Sequence, residues 1–174
     1  EALLASLSSR NIKIYIKKVI ESDNLNLFVL KKKNMIIAYA IIAIKINFLV
    51  SIFSNMKLSI FFDLITRLKF LKVLNMLFSY FQLDTIFLSK EKKKIIYKNC
   101  NLNLLAVKKN FQSKGIGTYF LKKIFKTIKK SKYITVESLD QNAYNFYCKK
   151  HSFIFLGEKY RMIRNLKILF KKLI

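Results

Sequence analysis

LNLLAVKKNFQSKGIGTYFLKKIF, residues 102–125, joins an apolar run, a short polar loop, two glycines and an amphipathic stretch. The chain has only three glycines in 174 residues, and Gly115 and Gly117 are two of them. So scarce a residue, used twice within three positions, marks a place where the backbone itself sets the geometry. Residues 102–107 predict a buried strand, and residues 118–130 a helix with one apolar face. Amide groups at a helix start have no partner inside the helix, and with the helix dipole they make a site for an anion. Lys114 adds positive charge there, and Gln112 and Thr118 add hydrogen-bond donors. The unit suits a diphosphate. It is not the dinucleotide pattern G-x-G-x-x-G, whose third glycine would fall on Phe120, and the chain has no G-K-[ST] phosphate loop.

Around this unit the chain alternates regular elements. Residues 1–9 and 11–21 predict two short helices, and residues 25–30 a strand. KKKN, 31–34, predicts a hairpin turn, and residues 35–44 a long buried strand. From 57 to 82, Leu58, Phe61, Phe62, Ile65, Leu68, Leu71, Leu74, Leu77, Phe78 and Phe81 recur at helical spacing. Such an apolar face is expected to pack on the core, with Arg67, Lys69 and Lys72 on the exposed side. KEKKK, 90–94, predicts a solvated turn. Residues 133–138, 153–156 and 162–170 predict strands, and 142–150 a helix. The order implies one α/β (α+β) domain spanning 1–174. It has three layers, a mixed central sheet flanked by helices, and a helical insertion at about 48–98.

Hydrophobic residues make up 53% of the chain, which excludes a disordered one. Lysine and arginine number 34 against nine acids, a net charge of +25. A surface this basic favours anionic partners: phosphates, nucleic acid or acidic lipid. The apolar region from 35 to 88 is interrupted by Lys45, Lys57, Asp63, Arg67, Lys69 and Lys72, so no run reaches the roughly 18 uncharged residues of a membrane span. Cys100 and Cys148 have neither zinc-type spacing nor a disulfide framework and suit a reducing cytoplasm. No metal is expected. The lone histidine, His151, is expected at the surface in the irregular CKKH segment. The chain begins at Glu1, not methionine.

Gln112, Gly115 and Gly117 form the pattern [QR]-x-x-G-x-[GA] just after Leu105, Ala106 and Val107. This region closely resembles the acetyl-coenzyme A signature of the GNAT N-acetyltransferase superfamily. LDQNAYNFYCKKHSFIFLGEKYRM, 139–162, resembles a second part of that family, [ND]-x-x-A-x-x-F-Y followed by Gly-Phe and a strand pair. Asp140, Ala143, Phe146 and Tyr147 match in register, Ser152-Phe153 stands at the Gly-Phe step, and Gly157-Glu158 matches beyond it. One extra residue separates Tyr147 from Ser152. Placed at the helix end it leaves Tyr147 in position; placed earlier it puts Cys148 there. The resemblance covers about 75 residues from Asn101 onward and extends to 1–44 as the first helices and hairpin. The family's first strand would then lie upstream of Glu1. A hydrophobic, basic insertion also resembles GNAT-type members from bacterial surface-polysaccharide gene clusters.

The resemblance implies roles. Backbone groups of Leu105, Ala106 and Val107 would pair with the pantetheine arm of acetyl-coenzyme A. Gln112, Ser113, Lys114, Gly115, Ile116, Gly117 and Thr118 would hold its diphosphate. Tyr147 would be the general acid at the leaving sulfur, and Glu137, at a strand end beside the cleft, the best-placed carboxylate base. The implied function is cytoplasmic acetyl transfer to a primary amine of a small molecule, an amino-sugar nucleotide foremost. Two alternatives stand beside it. One is acetylation of aminoacyl-tRNA, as in GNAT toxins, whose L-D-x-x-A-x-x-F-Y helix LDQNAYNFY resembles. The other is a non-catalytic, membrane-peripheral module acting through 57–81. A second copy of the chain, as a homodimer, completes the partner classes.

Overall fold

The computed structural model of the protein describes residues 8–44, 71, 74, 77, 81, 83–128, 131–138, 140–160 and 165–173. Helix α1, Ser9–Ile20, starts where the Ser8 hydroxyl accepts the Asn11 N–H. It buries Asn11, Tyr15 and Val19, one residue per turn. Strands β1, Leu25–Lys32, and β2, Met35–Ala43, form an antiparallel hairpin. The turn is tighter than the sequence suggests. Lys31 and Lys32 continue the strand, and Lys33 takes the left-handed conformation, φ 53°.

Residues 90–94 are not a solvated turn. They open helix α2, Lys90–Lys98, because Ser89 accepts the Lys92 N–H and Ile96 reaches the core. A lysine run conceals a helix whose single apolar stripe is Ile95, Ile96 and Tyr97. Strand β3, Cys100–Val107, follows at once. Helix α3, Ile116–Thr127, strand β4, Tyr133–Ser138, and helix α4, Gln141–His151, come next. Strands β5, Ile154–Lys159, and β6, Leu166–Lys172, close the order. The expected helix at 1–9 lies almost wholly outside the described residues, as does most of 57–82 and the start of the last strand at 162–164.

The six strands form one mixed sheet, ordered β1-β2-β3-β4-β6-β5. Every neighbouring pair is antiparallel except β3 and β4. Alternating side chains send two cores to opposite faces. On one face Tyr15 and Val19 of α1 and Ile96 of α2 meet Ile41, Leu156 and Ile168. On the other, Phe120, Leu121 and Ile124 of α3 and Tyr147 of α4 meet Ile42, Leu102, Ile134 and Leu169. This is the three-layer α/β architecture with a mixed sheet expected from the order of elements.

The segment before β3 also departs from expectation. Leu71, Leu74 and Leu77 are helical, but their side chains are exposed, not packed on the core. Gly157 is required by packing: a Cβ there would stand 2.5 Å from the Leu88 Cδ2 atom. Leu88 can shift, at the cost of its own contacts. Gly157→Ala is expected to lower stability by about 1–2 kcal/mol, read as a reduced midpoint in a denaturant melt.

Candidate active site at the parting of two strands

Strands β3 and β4 run parallel only from Cys100 to Leu102, opposite Ile134 to Val136. Beyond that point they part. β3 keeps its partner on the other side, with Leu105, Ala106 and Val107 opposite Ala40, Tyr39 and Ala38. β4 likewise stays paired with β6 through Ser138. Among the described residues the parting leaves the outer edge of residues 103–107 without a strand, so its amide and carbonyl groups can pair with an extended arm.

The cause of the parting can be traced. Between Ile41 and Ile42 the β2–β3 register shifts, and Asn103 is the extra residue. A bulge bends its strand and increases local twist. The Asn103 amide donates to the Tyr15 hydroxyl at 3.1 Å, holding the bend against α1. Two residues before it, the buried Asn101 amide donates to Thr135 Oγ1 at 3.0 Å, fastening the middle of the three β3–β4 pairs. Sequence reasoning missed both asparagines. Their signal is a pair of amides in an otherwise apolar strand.

At the end of β3 the Gln112 side chain donates to the Val107 carbonyl at 2.9 Å, folding the loop back on the strand. Ser113 and Gly115 both have positive φ, 59° and 75°, and flank Lys114. Left-handed residues in such a turn aim successive amides into one concavity, a nest for an anion. Gly115 is also the N-cap of α3, and no side chain caps this helix. By contrast α1, α2 and α4 are capped by Ser8, Ser89 and Asp140. The first amides of α3, those of Ile116, Gly117 and Thr118, are therefore left for a ligand. Lys114 is exposed beside them, and Thr118 half-buried. A Cβ on Gly117 would lie 3.5 Å from the Phe146 ring and 3.7 Å from Val107, whereas one on Gly115 would meet nothing within 4 Å. These residues fit a diphosphate: backbone donors, one lysine and no acid in the first turn.

α4 keeps its Asp140 cap, which accepts the Ala143 N–H at 2.7 Å. The extra residue lies at the other end. Ser152 takes a left-handed conformation, φ 56°, and its N–H reaches the Cys148 carbonyl. From the cap the helix runs without a break past Tyr147. Its ring is buried against Phe146 and Phe153, in the cluster that includes Leu102 and Val136 at the parting point. Burial pushes the phenol pKa well above its ordinary value, so the hydroxyl holds its proton more tightly than a free tyrosine does. Glu137 lies on the opposite face of the sheet. Its carboxylate accepts from the Lys159 ammonium, which also stands 3.8 Å from Asp84. Residues 105–107 thus lie along the β3 edge, 112–118 in the loop and helix start that follow it, and Tyr147 in the core cluster under α3 and α4, with Glu137 on the opposite face of the sheet.

His151 is not a surface residue. It is buried beside Phe146, ring centroids 4.8 Å apart, because the final turn of α4 rotates it into the core. Burial first, then Lys171, Lys122 and Lys150, lower its pKa from 6.5 to about 4. The unfolded chain therefore takes up a proton that the folded chain resists. Stability is full above pH 6.5 and is lost as pH falls toward 4, by roughly 2–3 kcal/mol. Denaturant melts at pH 7 and pH 4.5 should show this limb in the wild type and a flatter one in His151→Leu.

A hollow among the described residues lies elsewhere. It is 710 Å³ in volume and is lined by Asp23, Leu25, Phe28, Cys100 and Thr127, near the start of β3.

No family model and no curated protein matches this sequence. Solved structures do. An acetyltransferase-related protein from Corynebacterium glutamicum, described as a histone acetyltransferase relative, is 16% identical, with a TM-score of 0.57 over 95% of this chain and 76% of that one. A proposed GNAT-family acetyltransferase from Desulfovibrio desulfuricans is 9% identical, with a TM-score of 0.56 over 99% and 89%. A ribosomal-protein alanine N-acetyltransferase from Escherichia coli is 11% identical, with a TM-score of 0.52 over 97% and 91%. This chain has the fold of the GNAT acetyltransferases.

Proposed function

We propose that this protein is an acetyl-coenzyme A-dependent N-acetyltransferase acting on a primary amine of a small molecule, with amino-sugar nucleotides the first acceptor class. One observation carries the reading: β3 and β4 part directly before a glycine nest and an uncapped helix start. A thioester with an extended arm and a diphosphate has the shape that this pair of features would accept. Acetyl-coenzyme A would supply the activated acyl group. The open edge at Leu105, Ala106 and Val107 would align the arm, and Gln112 to Thr118 would hold the diphosphate. Tyr147 would give a proton to the leaving sulfur from the α3/α4 side. Glu137 would draw the acceptor ammonium to the other face and take its proton, directly or through water. The single-domain reading, with 48–98 as an insertion, belongs to the same proposal.

Tyr147→Phe is the direct test of this chemistry. It should lower kcat for acetyl transfer roughly a hundredfold while leaving KM for acetyl-coenzyme A nearly unchanged. Unchanged kcat would remove Tyr147 from the mechanism. The charge of +25 favours aminoacyl-tRNA as the second acceptor class. Turnover on charged tRNA that falls steeply with salt would select it.

A further inference from the structure

We infer that the turn at residues 83–88, with Phe81, the start of α2 and Tyr160, is a docking surface for an anionic lipid bilayer. The chain displays large apolar side chains here that a water-facing turn does not need. Phe87 is 74% exposed and Phe81 65%, and Leu83, Ile86 and Tyr160 are exposed with them. The Phe87 and Tyr160 rings meet at a tilt of 53° with centroids 4.7 Å apart, so they form one patch. Leu71, Leu74 and Leu77 precede it at three-residue spacing, exposed and helical, and the Phe81 N–H bonds the Leu77 carbonyl.

The turn is fixed in this posture from beneath. Asp84 and Thr85 are buried, Thr85 Oγ1 lies 3.1 Å from the Tyr97 hydroxyl, and the Tyr160 N–H donates to the Asp84 carbonyl. Leu88 packs over Gly157. With 84, 85 and 88 anchored inward, Ile86 and Phe87 are directed outward.

The neighbouring charge identifies the occupant. Lys90, Lys92 and Lys94 follow within seven residues of Phe87 and are exposed, with Glu91 the only acid in that turn. Aromatic and aliphatic side chains that can enter the headgroup boundary, beside a lysine cluster, match an anionic bilayer. A nucleic acid would use the lysines and aromatic rings, but isoleucine and leucine offer no stacking face for bases. A symmetric pairing of two copies places each patch against its equivalent and brings the lysine clusters toward each other. Lys159 ties this turn to Glu137, so docking would set the Glu137 side of the cleft near the bilayer. The lipid proposal itself does not rest on the acetyl-transfer reading.

The chain contains no tryptophan, so Phe87→Trp provides a probe at one site. Its emission should shift to the blue with vesicles of phosphatidylcholine and phosphatidylserine, and stay unshifted with phosphatidylcholine alone. In sedimentation with the same vesicles, Ile86→Ser/Phe87→Ser should weaken partitioning at least about tenfold. Lys90→Gln/Lys92→Gln/Lys94→Gln should weaken it about a hundredfold and remove its salt dependence. Circular dichroism melts should match the wild type. An unshifted Phe87→Trp emission, or wild-type partitioning by either variant, would overturn the proposal. So would transfer RNA retention or self-association that the apolar double variant abolishes while vesicles fail to sediment the protein.

Discussion

Gly117→Phe is expected to reduce acetyl-coenzyme A affinity at least about a thousandfold, roughly 4 kcal/mol, with the fold intact. The expectation follows from where a side chain at 117 would go. A Cβ alone makes ordinary contacts, 3.5 Å to Phe146 and 3.7 Å to Val107. A benzyl group finds no further room against those two side chains and projects over the amides at the start of α3. Gly117→Ala is therefore the matched control and should cost little. Gly115 works differently. Its Cβ position is open, but its φ of 75° costs an alanine about 1–2 kcal/mol of backbone strain. Calorimetry on the two Gly117 variants, with melts alongside, separates a blocked cradle from a damaged fold.

Lys159→Met should be the most destabilising single substitution considered, at about 3–5 kcal/mol. The Lys159 ammonium is buried between the carboxylates of Glu137 and Asp84, and Asp84 is only 1% exposed. Methionine preserves the stem but leaves Asp84 in the interior without that countercharge. For a chain of this length the loss should appear as a fall in Tm of roughly 10 °C. Asp84→Asn/Lys159→Met should recover part of it, since both charges are then gone. A Tm unchanged in Lys159→Met would mean that solvent screens this cluster far better than its burial indicates.

Much of the cleft was legible because its parts are local. The strand at 102–107, the loop, the glycine pair and the helix after it are consecutive, and each follows from hydrophobic period or backbone freedom. The Asp140 cap and the step through Ser152 were likewise written in neighbouring residues. What escaped was set by contacts distant in sequence. The Asn103 bulge is held by Tyr15 of α1, which lies 88 residues away in sequence. Lys159 is an ordinary strand lysine until Asp84 and Glu137 fold around it. His151 looked like a surface residue in a lysine-rich stretch, but the last turn of α4 carries it under Phe146. KEKKK read as a turn because charge count outweighed a cap at Ser89 and one buried residue, Ile96. Leu71, Leu74 and Leu77 erred in the opposite direction: helical spacing shows that a face is apolar, not what covers it.

Calorimetric titration of the wild-type protein with acetyl-coenzyme A is the measurement on which the account turns. Saturable binding with one site per chain, lost in Gly117→Phe and kept in Gly117→Ala, is the predicted result. A protein that melts cooperatively yet binds no acetyl-coenzyme A would contradict the assignment of this cleft.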